Sequence, residues 1–267
     1  MEPKIEFNLK SVEPFSKIDD SLIDEIEKNI ELIKYNFGQP ICALNTIPNK
    51  ILFILKGEVR FLHLTQNKPE TIKKLGPSNF IGLASLLNAK GIEFFNASTE
   101  VTAISLPDSL ILKIYQNDKY FKSWCDNHIQ IADLYKLALK LKNLQVNDSL
   151  KLSQIVNSIS KEISISTIEN GDKFEVDSKL ISFLSSSNVI NNIAEHFLED
   201  SQIISTRGPL PARILKISCL TSEKIIQNKF ISNTIKDSSF QLANIDSSKI
   251  KDAEDLLEES SEKFGQY

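Results

Sequence analysis

The spacing of apolar residues changes period along the chain. Over residues 20–35 (DSLIDEIEKNIELIKY) Leu22, Ile23, Ile26, Ile30 and Ile33 recur at three-to-four spacing. That predicts one amphipathic helix through the stretch. Asp19, Asp20 or Ser21 can cap it, and Asp24 and Glu25 suit the positive end of the helix dipole. From 37 to 106 short β-branched and aromatic runs alternate with turn residues such as Gly38-Gln39-Pro40, Pro48-Asn49, Asn67-Lys68-Pro69 and Gly76-Pro77. The clearest run, Lys50 to Leu64, is broken at Lys56-Gly57-Glu58 and predicts two strands joined at a glycine turn. Residues 70–75 add a strand, and 97–106 add one or two more. One helical turn, Gly82 to Leu87, interrupts them. Strands this short and closely spaced predict a small barrel or jelly roll.

Helical patterns follow at 107–116 and 119–144. The second carries Phe121, Trp124, Ile129, Ala132, Leu134, Leu137, Ala138 and Leu141. Ile129, Leu134 and Leu137 either face a second copy or pack onto the barrel. Residues 145–160 are polar but helix-compatible. Beyond them Ile163–Ile168, Leu180–Leu184 and Gln202–Thr206 read as strands, and Leu210 to Leu215 reads as a loop entering a strand. Thr221–Phe230 reads as a short helix capped by Thr221. The division expected is a barrel domain over 1–145, a small mixed α/β region over 146–231, and an acidic, unfolded tail over 232–267 with a marginal helix at 249–264. The fold class is α+β.

Charge sharpens this division. The 267 residues hold 31 basic and 35 acidic side chains, a net charge of −4. Asp246 to Tyr267 holds seven acids and three bases, so the first 245 residues balance at 28 against 28. A balanced body argues against a nucleic-acid binder and a polybasic membrane anchor. No apolar stretch reaches about 18 residues, so no transmembrane segment is expected. The start MEPKIEFNLKSVEPF lacks an apolar core of signal-peptide type. Cys42, Cys125 and Cys219 cannot all pair, which points to a reducing, cytoplasmic location with buried free thiols.

The motifs of common catalytic chemistries are missing. There is no Gly-x-x-x-x-Gly-Lys-Ser/Thr, Gly-x-Gly-x-x-Gly, Gly-x-Ser-x-Gly or His-Glu-x-x-His. His63, His128 and His196 show no metal-ligand spacing and are read as structural. No enzyme activity is expected.

Three segments carry a resemblance. Ile54-Leu55-Lys56-Gly57-Glu58-Val59-Arg60, then Ile81-Gly82-Leu83-Ala84-Ser85-Leu86-Leu87, then Ala97-Ser98-Thr99-Glu100-Val101-Thr102-Ala103 follow one another in order. Residues 20–144 thereby resemble the cyclic-nucleotide-binding domain, a β-roll with flanking helices. In that family the second segment is the phosphate-binding cassette, usually Phe-Gly-Glu-x-Ala-Leu-Leu, and the third is usually Pro-Arg-Ala-Ala-Thr-Val-x-Ala. The resemblance implies a cyclic phosphate held by backbone N–H groups at the small helix and by an arginine, with a glutamate on the ribose hydroxyl. Gly82 aligns with the cassette glycine, so Leu83 stands at the glutamate and Ser85 at an alanine. Ala97 stands at the arginine and Asn96 at the preceding proline. No arginine occurs between Arg60 and Arg207, and Lys90 is the one cation in the loop. Lys90 offers a point charge but no bidentate fork. The candidate ligand residues of this degenerate cassette are Gly82, Leu83, Ala84, Ser85, Lys90, Asn96 and Ala97. Losing two charged hydrogen-bond partners at about 1.5–3 kcal/mol each weakens binding by roughly two to four decades. The expectation is the fold without ordinary cyclic-nucleotide binding and without another cofactor. Free N–H groups at Leu83 to Ser85 would leave room for an anion; a pocket filled by Leu83, Phe94 or Phe95 would not.

The variant Ile-Gly-Leu-Ala-Ser-Leu-Leu, with the later Leu-Pro-Ala-Arg-Ile-Leu, is similar to the N-terminal regulatory region of cyanobacterial type I secretion exporters of the ABC class. That resemblance implies a secretion-associated regulatory or interaction module whose partner is an exporter or a second copy of itself. The alternative is a transcription regulator resembling the cyclic AMP receptor protein family. Its winged helix would lie near 176–217 with Ser186–His196 as recognition helix, a segment holding no lysine or arginine.

Overall fold

The computed structural model describes residues 8–66, 68–145, 150–190, 192 and 194–227. The acidic tail, its expected helix at 249–264 and the end of the helix expected at 221–230 lie outside the described residues. After two 3-10 turns, the first half runs as α1 (Asp20–Asn29), β1 (Glu31–Tyr35), β2 (Pro40–Cys42), β3 (Lys50–Lys56), β4 (Val59–Leu64), β5 (Pro69–Leu75), β6 (Phe80–Ile81), α2 (Leu83–Leu87), β7 (Phe95–Ala97), β8 (Val101–Pro107), α3 (Asp108–Asn117), α4 (Lys119–Asn127) and α5 (Ile131–Asn143). The second half runs as α6 (Leu152–Ile159), β9 (Ser164–Ile168), β10 (Lys173–Phe174), β11 (Leu180–Leu184), β12 (His196–Leu198), β13 (Gln202–Ile203), β14 (Ala212–Ser218) and α7 (Cys219–Ile226).

The first half is an antiparallel jelly roll of two four-stranded sheets, β1-β8-β3-β6 and β2-β7-β4-β5. Side chains from both meet in one apolar cluster: Leu52, Ile54 and Ala103 from the first sheet, Phe61, Ile72 and Phe95 from the second. The hairpin of β3 and β4 turns at Gly57, whose φ is +91°. A Cβ there would lie 2.1 Å from the carbonyl oxygen of Glu100, so only glycine fits the turn.

Two helices end earlier than their periodicity predicts. α1 is capped by Asp19, which accepts from the Ser21 amide at 2.9 Å, but it stops at Asn29. Residues 31–35 instead form β1, paired with β8 from Glu31↔Ser105 to Tyr35↔Val101. Ile33 continues the helical series but also fits a two-residue period with Tyr35, and pairing with the edge of β8 decides for the strand. The segment 119–144 is two helices, broken at His128–Gln130. Carbonyls at the end of α4 are taken by Arg213, whose guanidinium donates to Cys125 O at 2.9 Å and His128 O at 3.1 Å. α5 restarts with Asp133 accepting from the Gln130 amide at 3.1 Å. Leu134 and Leu137 of α5 are buried in the core rather than presented to a partner.

The second half forms a sheet in the order β12-β11-β14-β9 with α6 and α7 against it. Phe183, Leu215, Ile217 and Ile225 belong to the same apolar cluster as the roll. The described residues fall within one unit that extends to Asn228. Strands expected at 163–168, 180–184 and after 212 form. α7 is capped by Ser218 rather than Thr221, and the Thr221 amide donates to the Ser218 hydroxyl at 3.1 Å. Among the described residues of 186–196, where the resemblance to a winged-helix regulator implies a recognition helix, none is helical. They are irregular chain, bends and turns, with an isolated bridge of Val189 to Thr206, leading into β12 at His196.

Candidate functional site

The cassette sits where β6, paired to β3, delivers the chain into α2. Gly82 caps α2 with a φ of +92°, and a Cβ on it would meet Pro48 Cγ at 2.7 Å and Ile51 Cδ1 at 3.0 Å. Two amides at the helix start are taken. Gly82 N–H donates to Glu93 Oε1 at 2.9 Å, and Ser85 N–H donates to Glu93 Oε2 at 2.8 Å. The loop between them is drawn tight: the Ile92 amide donates to Ser85 Oγ at 3.2 Å and the Lys90 amide to the Ser85 carbonyl at 3.0 Å. Glu93 is 2 % exposed. Burial pushes its carboxyl above the usual carboxylate range, against the hydrogen bonds from Ser85 and Gly82, and the charge of Asp133 adds to the rise.

The other candidate residues are placed as follows. Leu83 is fully buried among Phe80, Leu86, Leu110 and Ile111. Ala84 is buried in the core of the roll. Ala97 is buried in β7, opposite Val59. Asn96 is half-buried and pairs across the sheet with Arg60, the arginine of the first half. Strand alternation puts Arg60 on the opposite face of β4 from the buried Val59 and Phe61, away from the interior of the roll. Lys90 does not turn to the cassette. Its ammonium lies 2.8 Å from Glu195 Oε1, and the ammonium of Lys136 lies 3.1 Å from the same oxygen. Lys136 is buried and donates to the Ser185 carbonyl at 2.6 Å. Burial pushes its pKa down, opposed by Glu195 and Asp133. Glu195 itself is in the left-handed region, at φ +61°.

Behind α2 lies a buried polar network that ties the two halves together. Asn88, the C-cap of α2, donates from Nδ2 to Asp133 Oδ1 at 2.8 Å, and its Oδ1 accepts from Ser185 Oγ at 2.7 Å. The Ser187 amide donates to the Asn88 carbonyl at 2.9 Å. Arg213, 1 % exposed, pairs with fully buried Asp133 at 3.2 Å. Glu93, Asn88, Asp133 and Ser185 went unread in the sequence. Their meaning comes from contacts between residues 8 to 99 positions apart. Only the polar residues inside apolar stretches hinted at them.

Other chemistry is sparse. His63 Nδ1 bonds the Tyr135 hydroxyl at 2.7 Å, and His128 stacks on Trp124 at 4.3 Å between centroids. Burial lowers the pKa of His128. Burial also pushes the Cys42 thiol up to about 12, and Cys125 rises for the same reason, so both are held in the thiol form. Cys219 is only half-buried. Among the described residues no group of three or more His, Cys, Asp or Glu could hold a metal. A cavity of about 130 Å³ between β5 and the α4–α5 junction is lined by Lys73, Leu75, Asn79 and residues 128–131 and 134. It contains none of the cassette residues.

Residues 32–118 match the family model of the cyclic nucleotide-binding domain. The chain therefore carries that domain, on an α+β jelly roll. Solved structures similar to it include a cyclic nucleotide-binding protein from Geobacter metallireducens, at 16 % identity and TM-score 0.37, covering 43 % of this chain and 84 % of that one. The regulatory domain of Toxoplasma gondii PKA, crystallised with cAMP, is similar at 10 % identity and TM-score 0.39 over 88 % of this chain and 93 % of that one. The N-terminal domain of a transcriptional regulator from Streptomyces coelicolor is similar at 18 % identity and TM-score 0.36, over 54 % and 96 %. No curated protein matches the sequence. Among the described residues no helix is long and apolar enough to cross a membrane.

Proposed function

We propose that this chain is a non-catalytic regulatory or interaction module whose cyclic nucleotide-binding domain works without a cyclic nucleotide at its cassette. The observation that carries the reading is the Glu93 carboxylate on the Gly82 and Ser85 amides. A phosphate entering there must displace a carboxyl group tethered to the same loop, at an effective concentration on the order of millimolar or more. It would find Ala97 where the family has its arginine and Leu83 where it has its glutamate. Displaced, Glu93 would give up its hydrogen bonds to the Gly82 and Ser85 amides. Each of these works against the ligand in the same direction.

Within this reading the partner is a protein. The sequence resemblance of the cassette variant names type I secretion exporters of the ABC class as the partners to try first, with a second copy of the chain as the other choice. The deciding experiment is calorimetry of the full chain with cyclic AMP and with cyclic GMP. No heat of binding is expected at micromolar ligand. A Kd near 1 μM, about −8 kcal/mol, for either nucleotide overturns the reading.

A further inference from the structure

α2 is five residues long, and all five are buried. A helix of little more than one turn has no stability of its own, so its position is set by what holds its ends. Glu93 holds the first end through Gly82 and Ser85. Asn88 holds the second. Its amide and its Nδ2 both return to the Ala84 carbonyl, at 3.0 and 2.9 Å, locking the side chain to the helix. The remaining bonds of Asn88 leave the helix. One reaches Asp133, and two reach the 185–187 segment through Ser185 Oγ and Ser187 N–H.

That segment is bound in turn to β14. Ser185 N–H donates to the Arg213 carbonyl at 2.9 Å, the Arg213 amide donates to Ser186 Oγ at 2.5 Å, and the guanidinium returns to Asp133 at 3.2 Å. The bonds therefore close a ring: Asn88, Asp133, Arg213, Ser185 and back to Asn88. Its members are 0 %, 0 %, 1 % and 0 % exposed. In such a setting a broken bond leaves a polar group unpaired and away from water. The ring therefore stays whole or opens as a unit rather than stretching.

We propose that Glu93 and the 185–187 segment are coupled through α2, so that release of the carboxylate from the cassette amides loosens the Ser185–Ser187 attachment of the second half. The two ends of one short helix are the transmitting element, and Asn88 is the residue that passes its position on. The coupling does not depend on whether an external anion ever reaches the cassette. The nucleotide titration and the test below can therefore fail separately.

The test is residue-resolved amide hydrogen exchange on the full chain, comparing the parent with Glu93→Gln. Faster exchange is expected at the Gly82 and Ser85 amides, and also at the Ser187 amide, by at least about tenfold. The paired amides of β11 and β14, such as Phe183 and Leu215, are expected to hold. Acceleration confined to Gly82 and Ser85 overturns the coupling. The reverse variant, Ser185→Ala, removes only a hydroxyl and keeps the test decisive should Glu93→Gln not fold. Because coupling is reciprocal, Ser185→Ala must speed exchange at the Ser85 amide, and an unchanged Ser85 overturns the proposal.

Discussion

Ser85 and Glu93 are bound to each other across eight residues, the Ser85 amide donating to Glu93 Oε2 at 2.8 Å. The carboxyl group thereby takes two of the amides at the start of α2. Glu93→Ala leaves the Gly82 and Ser85 donors buried and unpaired, at about 1–3 kcal/mol each. It also relieves a carboxylate stripped of its hydration. The first effect prevails because Ser85 and Glu93 are both buried, so the amides lose their acceptor away from bulk water. A net loss of about 2 kcal/mol is expected in urea unfolding. Unchanged stability would mean that the amides find another partner.

Glu93 also predicts a pH dependence. Burial raises its folded pKa above the usual 4.5, so the folded chain holds this proton to higher pH than the unfolded chain does. Its contribution to stability is full below the unfolded value and is lost as pH rises through the folded one. The difference in unfolding free energy between the parent and Glu93→Gln should therefore move against the parent as pH rises from 4.5. A difference moving the other way would show that the amide hydrogen bonds outweigh burial.

Rebuilding the family cassette is expected to fail. Leu83→Glu puts a carboxylate among Phe80, Leu86 and Leu110, where no cation waits. A loss of about 3 kcal/mol or more follows, with no cyclic-nucleotide binding gained in calorimetry. Gly82→Ala places a methyl 2.7 Å from Pro48 Cγ at a φ of +92°. That costs about 2 kcal/mol or more in the same unfolding assay.

Arg213 is the most consequential charge in the second half. Arg213→Met leaves Asp133 buried without its cation and frees the carbonyls of Cys125 and His128. A loss of about 3–5 kcal/mol is expected. Arg213→Lys should recover little of it, since one ammonium cannot serve three acceptors in fixed directions. Denaturant titration of the two variants separates charge from geometry, and near-parent stability for the lysine variant would favour charge.

Glu195 should matter in acid. Although burial raises its pKa, Lys136 and Lys90 together hold it below the usual 4.5. Its contribution is present above that value and is lost as pH falls through the folded pKa. Parent and Glu195→Gln should converge in stability on acidification from roughly pH 6 to 3. A gap that stays constant would show that the ion pairs contribute nothing.

Much of the roll was legible from residue pattern. The Gly57 turn, the alternating runs and the helical turn after Gly82 are local signals, because a left-handed glycine or a two-residue period needs no distant partner. The end of α1 was not legible. Ile33 continues the helical series of Ile26 and Ile30 yet also starts a two-residue period with Tyr35, and the choice falls to β8, some 70 residues away. The break between α4 and α5 escaped for a similar reason, since Arg213 takes the carbonyls that end α4 from outside the segment.

The same division runs through the site. The sequence alone determined which side chains are on offer: no arginine occurs between Arg60 and Arg207, and the family resemblance implies that Leu83 and Ala97 take the recognition positions. A missing residue type is a property of the chain, whatever its shape. Tertiary structure alone decided what the cassette holds instead. Glu93 reads as one acid in a loop until folding removes water from it and turns it to the Gly82 and Ser85 amides. Lys90 reads as a cation free to meet a phosphate until Glu195, 105 residues on, claims it. Hydrogen bonds and ion pairs gain their meaning from burial and distance, and neither is set until the two halves of the chain pack together.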